Sequence, residues 1–368
     1  MKKKVLHLIT GLGVGGAEMM LLRTLPLLQT TFDNEVCCVM GRGPVGEKIE
    51  EKGISVHYLD LGKYNFPIVA WRFVKISKQF KSGLLVTYLI HADIFGRILG
   101  RLAGVKKIIS SQRGFYVQWK FLKKIDKWTS FLVAKYFVQT SFAKEVLMNE
   151  LSLSADKFVV IPNAIKLVEY QFNLDVEKKK KELGIPNDNL CIICVSNLKP
   201  EKGYEELLEA FESVYSRNKK INLLVVGSGK EMTKYLNQIE NYSSGNNIIF
   251  LGQRSDVKEI LRLGEIFVLA TYSEGMSNAI LEAMASKLAI ITTDIEVNRE
   301  VIKDNVSGLL IPPRDAKSIE EKIDFLVGNY EKRRELGENA YREVLERFEL
   351  NKVVDQIKDN YELVLYGR

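Results

Sequence analysis

Short runs of Val, Ile and Leu alternate with longer runs whose apolar residues recur every three or four positions, along nearly the whole chain. KKVLHLIT at 3–10 predicts a strand, a glycine-rich turn follows, and AEMMLLRTLPLL at 17–28 predicts a helix. NEVCCVM, ISVHYLDL, GLLVTYLI, KKIISS and FVVIPN continue the strands, with helical runs between them. A second series starts with LCIICVSN at 190–197. It alternates through YEELLEAFESVYS, INLLVVG, MTKYLNQIENY, IIFLGQ, DVKEILRLG, EIFVLAT, NAILEAMASK, AIITTD and GLLIPP. Such alternation predicts two α/β domains, each a doubly wound parallel sheet. The 368 residues suit two domains, being too many for one hydrophobic core.

Polar, lysine-rich residues 164–188 separate the two series and read as a linker. The expected division is 1–168 for the first domain and 169–350 for the second, with an amphipathic helix at 351–368 packing back on the first. In open parallel sheets ligands bind where loops leave the carboxyl ends of the strands, so a cleft between the domains is the expected site.

Composition narrows the class. Hydrophobic residues at 46% and charged residues at 27% exclude a disordered or collagen-like chain. No uninterrupted apolar stretch reaches the ~18 residues of a membrane span, which argues against an integral membrane protein. The opening lysines and apolar run imitate a signal peptide, but His7 and the glycines interrupt it, and a strand with a turn accounts for it better. Cys191 and Cys194 have metal-knuckle spacing inside an apolar strand, where residues three apart face opposite sides. With Cys37 and Cys38 they read as buried thiols, and no metal site is expected.

The net charge of +7 is unevenly spread. Residues 1–170 hold 25 basic and 13 acidic side chains, a net of +12, which leaves the remainder at −5. Between 101 and 144, ten basic side chains accompany a single acid, Asp126, among Phe115, Tyr116, Trp119, Phe121, Trp128 and Phe131. Lysines beside large rings suit a surface lying in lipid headgroups. Trp119, Lys120, Lys123, Lys124, Lys127 and Trp128 are therefore the expected contacts with an anionic membrane. A nucleic-acid patch and a solvated helix over buried aromatics are the competing readings; no nucleic-acid partner is expected.

Gly11-Leu-Gly13-Val-Gly-Gly16 follows the first strand and satisfies a dinucleotide fingerprint. The acid expected after the second strand is missing and Arg42 stands there, so only an NADP variant fits. A plainer reading is a turn that brings backbone amides and a helix N-terminus near some anion.

Three junctions in the second half suit a nucleoside diphosphate. Val195-Ser-Asn-Leu-Lys-Pro-Glu-Lys202-Gly203 leaves a strand for a helix, adding a lysine to outward-facing amides; a solvated loop lysine is the alternative. Gly227-Ser228-Gly229 lets a base or ribose approach the backbone. Thr271-Tyr-Ser-Glu274-Gly275-Met276-Ser277-Asn278-Ala-Ile-Leu-Glu282 places amides and an N-cap serine where a phosphate or sugar would lie. Each glutamate there can accept hydrogen bonds from a vicinal diol. Glu282 is flanked by Ile280-Leu281 and Ala283-Met284-Ala285, and a carboxylate so crowded needs a partner.

These residues resemble the retaining family 4 glycosyltransferases of the GT-B fold, over about the full length. Gly15-Gly16-Ala17-Glu18 matches that family's first loop, His91 its amino-terminal histidine and Lys202 its lysine. Glu274 and Glu282 match its paired glutamates, with Gly227–Gly229 and Pro162-Asn163-Ala-Ile165 also in keeping. The resemblance implies two Rossmann-like domains facing a central cleft, with a nucleotide sugar in the second and an acceptor in the first. It also implies transfer without metal or cofactor. His91, Lys202 and Glu274 would then act on the reacting groups. Gly15, Gly16, Gly227, Gly229, Arg254, Gly275, Met276, Ser277, Asn278 and Glu282 would bind the donor. Where the family carries an arginine this chain has Asn197, and Arg113 or Arg254 is a candidate replacement; Asn163 is a further candidate.

The expected activity is transfer from a UDP- or GDP-linked sugar to a saccharide or lipid-linked acceptor, in surface-polysaccharide assembly. The expected location is the cytoplasmic face of the cell membrane. A sugar-nucleotide epimerase, an NADP-dependent oxidoreductase and a non-catalytic nucleotide-sugar-binding subunit are the rival readings.

Overall fold

Apolar runs free of polar interruption become the central strands, because both faces of a parallel sheet are covered by helices. The computed structural model describes residues 2–113 and 120–367. The chain forms two compact units, Met1–Ala164 with Leu350–Arg368, and Ile165–Glu349.

The first unit runs β1 (Lys3–Ile9), α1 (Gly16–Leu28), β2 (Phe32–Cys38), α2 (Pro44–Glu50), β3 (Val56–Tyr58), α3 (Phe66–Phe80) and β4 (Leu84–Tyr88). It continues through α4 (Ile90–Leu102), β5 (Ile108–Ser111), α5 (Lys120–Thr129), β6 (Lys135–Val138), α6 (Ser141–Leu151) and β7 (Phe158–Val160). All seven strands are parallel, in the order β3-β2-β1-β4-β5-β6-β7. Leu21, Leu25 and Ile49 cover one face, and Phe73, Phe95 and Leu99 of α3 and α4 cover the other.

The second unit contains α7 (Val176–Glu182), β8 (Leu190–Val195), α8 (Tyr204–Arg217), β9 (Ile221–Val226), α9 (Met232–Ile239), β10 (Ile248–Gly252) and α10 (Val257–Leu261). After these come β11 (Ile266–Leu269), α11 (Asn278–Ala285), β12 (Ala289–Thr293), α12 (Glu296–Arg299), β13 (Leu309–Ile311), α13 (Ala316–Gly328) and α14 (Tyr330–Arg347). Its six parallel strands are ordered β10-β9-β8-β11-β12-β13. Cys191 joins the core on one face and Cys194 the core on the other. All four cysteines are buried and free, and burial pushes the thiols of Cys38 and Cys194 up to about 11.

Two sequence expectations change. Residues 164–188 are no linker: Ile165, Leu167, Tyr170 and Ile185 are core residues of the second unit, and α7 lies among them. The charge of the stretch obscures these four apolar anchors. The boundary accordingly falls at 164/165, four residues before the expected 168/169. The last helix, α15 (Leu350–Tyr366), packs on α1 within the first unit and buries Val353, Ile357 and Tyr361 there.

Each sheet reverses its winding once, between β1 and β4 in the first unit and between β8 and β11 in the second. Loops on either side of such a point diverge and leave a crevice at the carboxyl ends of the strands.

Candidate active site

In the second unit the loops after β8 and β11 flank the reversal and are stitched together by backbone. Glu201 accepts hydrogen bonds from the Tyr272 amide at 2.8 Å and the Thr271 hydroxyl at 3.1 Å through its carbonyl. Gly203 has φ +66, and a Cβ there would fall on the Ala270 carbonyl, so only glycine lets the two loops meet this closely. Lys202 precedes that glycine in a short 3₁₀ turn ahead of α8. The result is an ion pair between Lys202 Nζ and Glu274 Oε1, both largely shielded from solvent. Ammonium and carboxylate thus stand side by side at the reversal, able to meet a phosphate oxygen and a sugar hydroxyl in adjacent positions.

The Ser277 side chain accepts from the Ile280 amide at 3.4 Å and caps α11, whose apolar residues are buried. Glu282 lies on the same helix, half-buried. The Gly227 turn docks on the first loop: the Leu198 amide donates to the Ser228 carbonyl at 3.0 Å, and a Cβ at Gly227 would fall on the Ser196 carbonyl. Gly229 lies against Leu198 in the same way. Four expected positions, Lys202, Gly227, Gly229 and Glu274, therefore belong to one interlocked set of loops.

The Arg254 fork grips Asp256 at 2.7 and 2.6 Å, and Asp256 also takes Lys179 at 2.8 Å, which holds its carboxyl well below the usual range. Arg254 is thus paired within the second unit. Asn197 is exposed and brings no charge.

In the first unit Gly15 caps α1, Gly16 begins it, and the Glu18 carboxylate folds back over Gly15. Burial raises the Glu18 pKa. Arg42, the residue an NADP reading needs, lies over the Tyr58 ring at 5.1 Å. The strand β4 stops at Tyr88, Leu89 takes φ +69, and His91 is exposed in the first turn of α4. Arg113 follows β5 and donates to Ser111 Oγ at 3.2 Å and Asn163 Oδ1 at 3.0 Å. Gln139 donates to the same Asn163 oxygen at 2.8 Å.

The basic aromatic stretch is divided by structure. Tyr136 and Phe137 belong to β6 and are buried. Phe121, Trp128 and Phe131 are 73, 75 and 71% exposed. Asp126 fixes the opposite side of α5 through an ion pair with the buried Arg97. Lys124 is exposed, whereas Lys123 pairs with Glu150 at 2.5 Å and Lys127 donates to Ser152 at 2.8 Å. Trp119 and the side chain of Lys120 lie outside the described residues. Among the described residues no helix is long and apolar enough to cross a membrane, and no His, Cys, Asp and Glu cluster suits a metal.

Sequence reasoning missed Thr271 and the Glu201 carbonyl, which fasten the two loops, because a backbone acceptor leaves no trace in residue type. Gly203 was readable as a glycine before a helix, but not its contact with Ala270.

Solved structures share this architecture. HepE of Anabaena in complex with UDP superposes with a TM-score of 0.86 at 19% identity, over 98% of this chain and 100% of that one. A glycosyltransferase from Rickettsia africae reaches 0.88 at 20% identity over the full length of both. The two parallel Rossmann-like sheets are the GT-B fold. The family model described as glycosyl transferases group 1 matches residues 175–343. The UDP-Gal:alpha-D-GlcNAc-diphosphoundecaprenol alpha-1,3-galactosyltransferase of Escherichia coli is 30% identical over 307 residues, 78% of this chain and 77% of that protein. The N,N'-diacetylbacillosaminyl-diphospho-undecaprenol alpha-1,3-N-acetylgalactosaminyltransferase of Campylobacter jejuni is 25% identical over 343 residues, 88% and 90% respectively. The chain belongs to the group 1 glycosyltransferases. Epimerase and oxidoreductase readings find no support among these relatives.

Proposed function

We propose that this glycosyltransferase moves a sugar from a UDP- or GDP-linked donor to a saccharide or lipid-linked acceptor, with retention of configuration and without a metal. The observation that carries the reading is the Lys202–Glu274 pair at the β8/β11 reversal, beside the capped start of α11. Breaking the sugar–phosphate bond places negative charge on the diphosphate, and Lys202 with the amides of Gly275, Met276, Ser277 and Asn278 neutralises it. Glu274 holds hydroxyls of the transferred sugar, Glu282 holds the ribose, and Gly227 and Gly229 admit the nucleoside to the backbone. His91 contacts the donor sugar, and Gly15 and Gly16 let acceptor and diphosphate come close. The acceptor attacks on the face the phosphate leaves, with that phosphate as base.

The Escherichia coli and Campylobacter jejuni relatives carry diphosphoundecaprenol in their names, which supports a lipid-linked acceptor. The exposed rings and lysine of α5 support peripheral attachment at the cytoplasmic face of the membrane. The test is transfer from UDP- and GDP-sugars in excess EDTA, with the product anomer read by NMR. Inverted product, or activity abolished by EDTA and restored by metal, overturns the mechanism.

A further inference from the structure

Buried arginines normally carry their own counter-ions, because an isolated charge away from water is costly. This chain follows the rule at Arg97, which is fully buried and paired with Asp126 and, at 3.9 Å, with Asp93. Arg113 breaks it. It stands two residues beyond β5, half-buried, at the carboxyl edge of the same sheet. Its partners are the neutral oxygens of Ser111 and Asn163, and the titratable groups facing it are the phenols of Tyr88 and Tyr361. Both phenols stay neutral, since burial pushes Tyr88 up to about 12 and Tyr361 well above its ordinary value.

Among the described residues no carboxylate bonds to Arg113, and the adjoining residues 114–119 (GFYVQW) contain no Asp or Glu. Burial lowers its pKa, as expected of a cation without a counter-ion. The guanidinium is nevertheless held in a fixed orientation: Asn163, itself buried and anchored by Gln139, takes one Nη and Ser111 takes Nε. Tyr361, on α15, is seated by stacking on Phe137, centroids 6.0 Å apart, and faces the guanidinium. A planar, oriented fork with no anion bonded to it among the described residues is suited to receive an external one.

We propose that Arg113 is an anion clamp of the first unit and takes a phosphate oxygen of a diphosphate ester. The diphosphate belongs either to the sugar donor or to a lipid-linked acceptor; this assignment to a substrate rests on the glycosyltransferase reading above, whereas the clamp itself does not.

Inorganic pyrophosphate is titrated by calorimetry into full-length protein carrying Lys202→Ala, with and without Arg113→Gln, and with and without Asn163→Asp. The second substitution leaves Arg113 in place but supplies the missing carboxylate. Each should weaken pyrophosphate binding about ten- to hundredfold, as for loss of one charge-assisted hydrogen bond to a shielded anion. Unchanged affinity in either folded variant overturns the clamp, and this holds even where no transfer activity is found.

Steady-state kinetics of Arg113→Gln, with Lys202 intact, then identifies the source. A KM rise for a diphosphate-linked lipid saccharide, but not for the same saccharide as an alkyl glycoside, assigns the acceptor; a rise in donor KM with both acceptors assigns the donor. Unchanged KM values for all three overturn the assignment to a substrate.

Discussion

Lys202 and Glu274 lie 72 positions apart and form an ion pair where the second sheet reverses its winding. The pair exists because Gly203 lets the first loop lie against Ala270 while Glu201 holds Thr271 and Tyr272. Replacing Lys202 with alanine removes the mobile cation and leaves a shielded carboxylate unpaired. The expected loss is about 10²–10³ in kcat, the scale of one donor removed from a developing anion. Stopped transfer assays at saturating donor check this; a kcat within threefold of wild type removes Lys202 from the reacting centre.

Glu282→Ala should act on binding. If the carboxylate holds a ribose diol, its loss raises donor KM about tenfold or more and leaves kcat at saturation within a few-fold. Unchanged donor kinetics would remove that assignment.

Gly227→Ala tests the loop lock. The position has φ +142 and its Cβ would fall on the Ser196 carbonyl, so both strain and overlap oppose the substitution. A destabilisation of about 1–3 kcal/mol is expected, with a Tm several degrees lower by calorimetry. An unchanged Tm would mean the two loops are not in contact.

The exposed rings of α5 should govern membrane attachment. Phe121→Ser with Trp128→Ser removes two large apolar groups that no described residue covers, while leaving the Arg97–Asp126 anchor intact. Flotation with anionic vesicles should fall several-fold, and wild-type binding should weaken as salt rises. Equal flotation of variant and wild type would assign these rings another partner.

His7 gives the fold a pH dependence. It is fully buried between Tyr88 at 3.0 Å and Asn34 at 3.0 Å, and burial lowers its pKa to about 4. Between pH 6.5 and 4 the unfolded chain binds a proton there that the folded chain does not, so acidification favours unfolding. The contribution is at most about 1.4 kcal/mol per pH unit across that window. Urea midpoints of wild type and His7→Gln at pH 7 and 4.5 should show the wild type losing more stability on acidification. Parallel losses in the two proteins would exclude His7 as the source.

Periodicity alone specified both α/β sheets, because a strand covered on two faces must be continuously apolar and the helices between must be amphipathic. It also marked Lys202, Gly227, Glu274 and Ser277, since each stands at a strand end followed by a helix start. Periodicity failed at 164–188, where lysines and glutamates surround Ile165, Leu167, Tyr170 and Ile185 and hide the fact that these four pack together. Only tertiary structure decided which polar residues keep a partner. Arg254 and Arg113 are equally basic as letters, yet Asp256 lies two residues from one, and among the described residues no carboxylate bonds to the other. Local spacing encodes secondary structure, whereas the neutralisation of a charge depends on which distant loops the sheet order brings together.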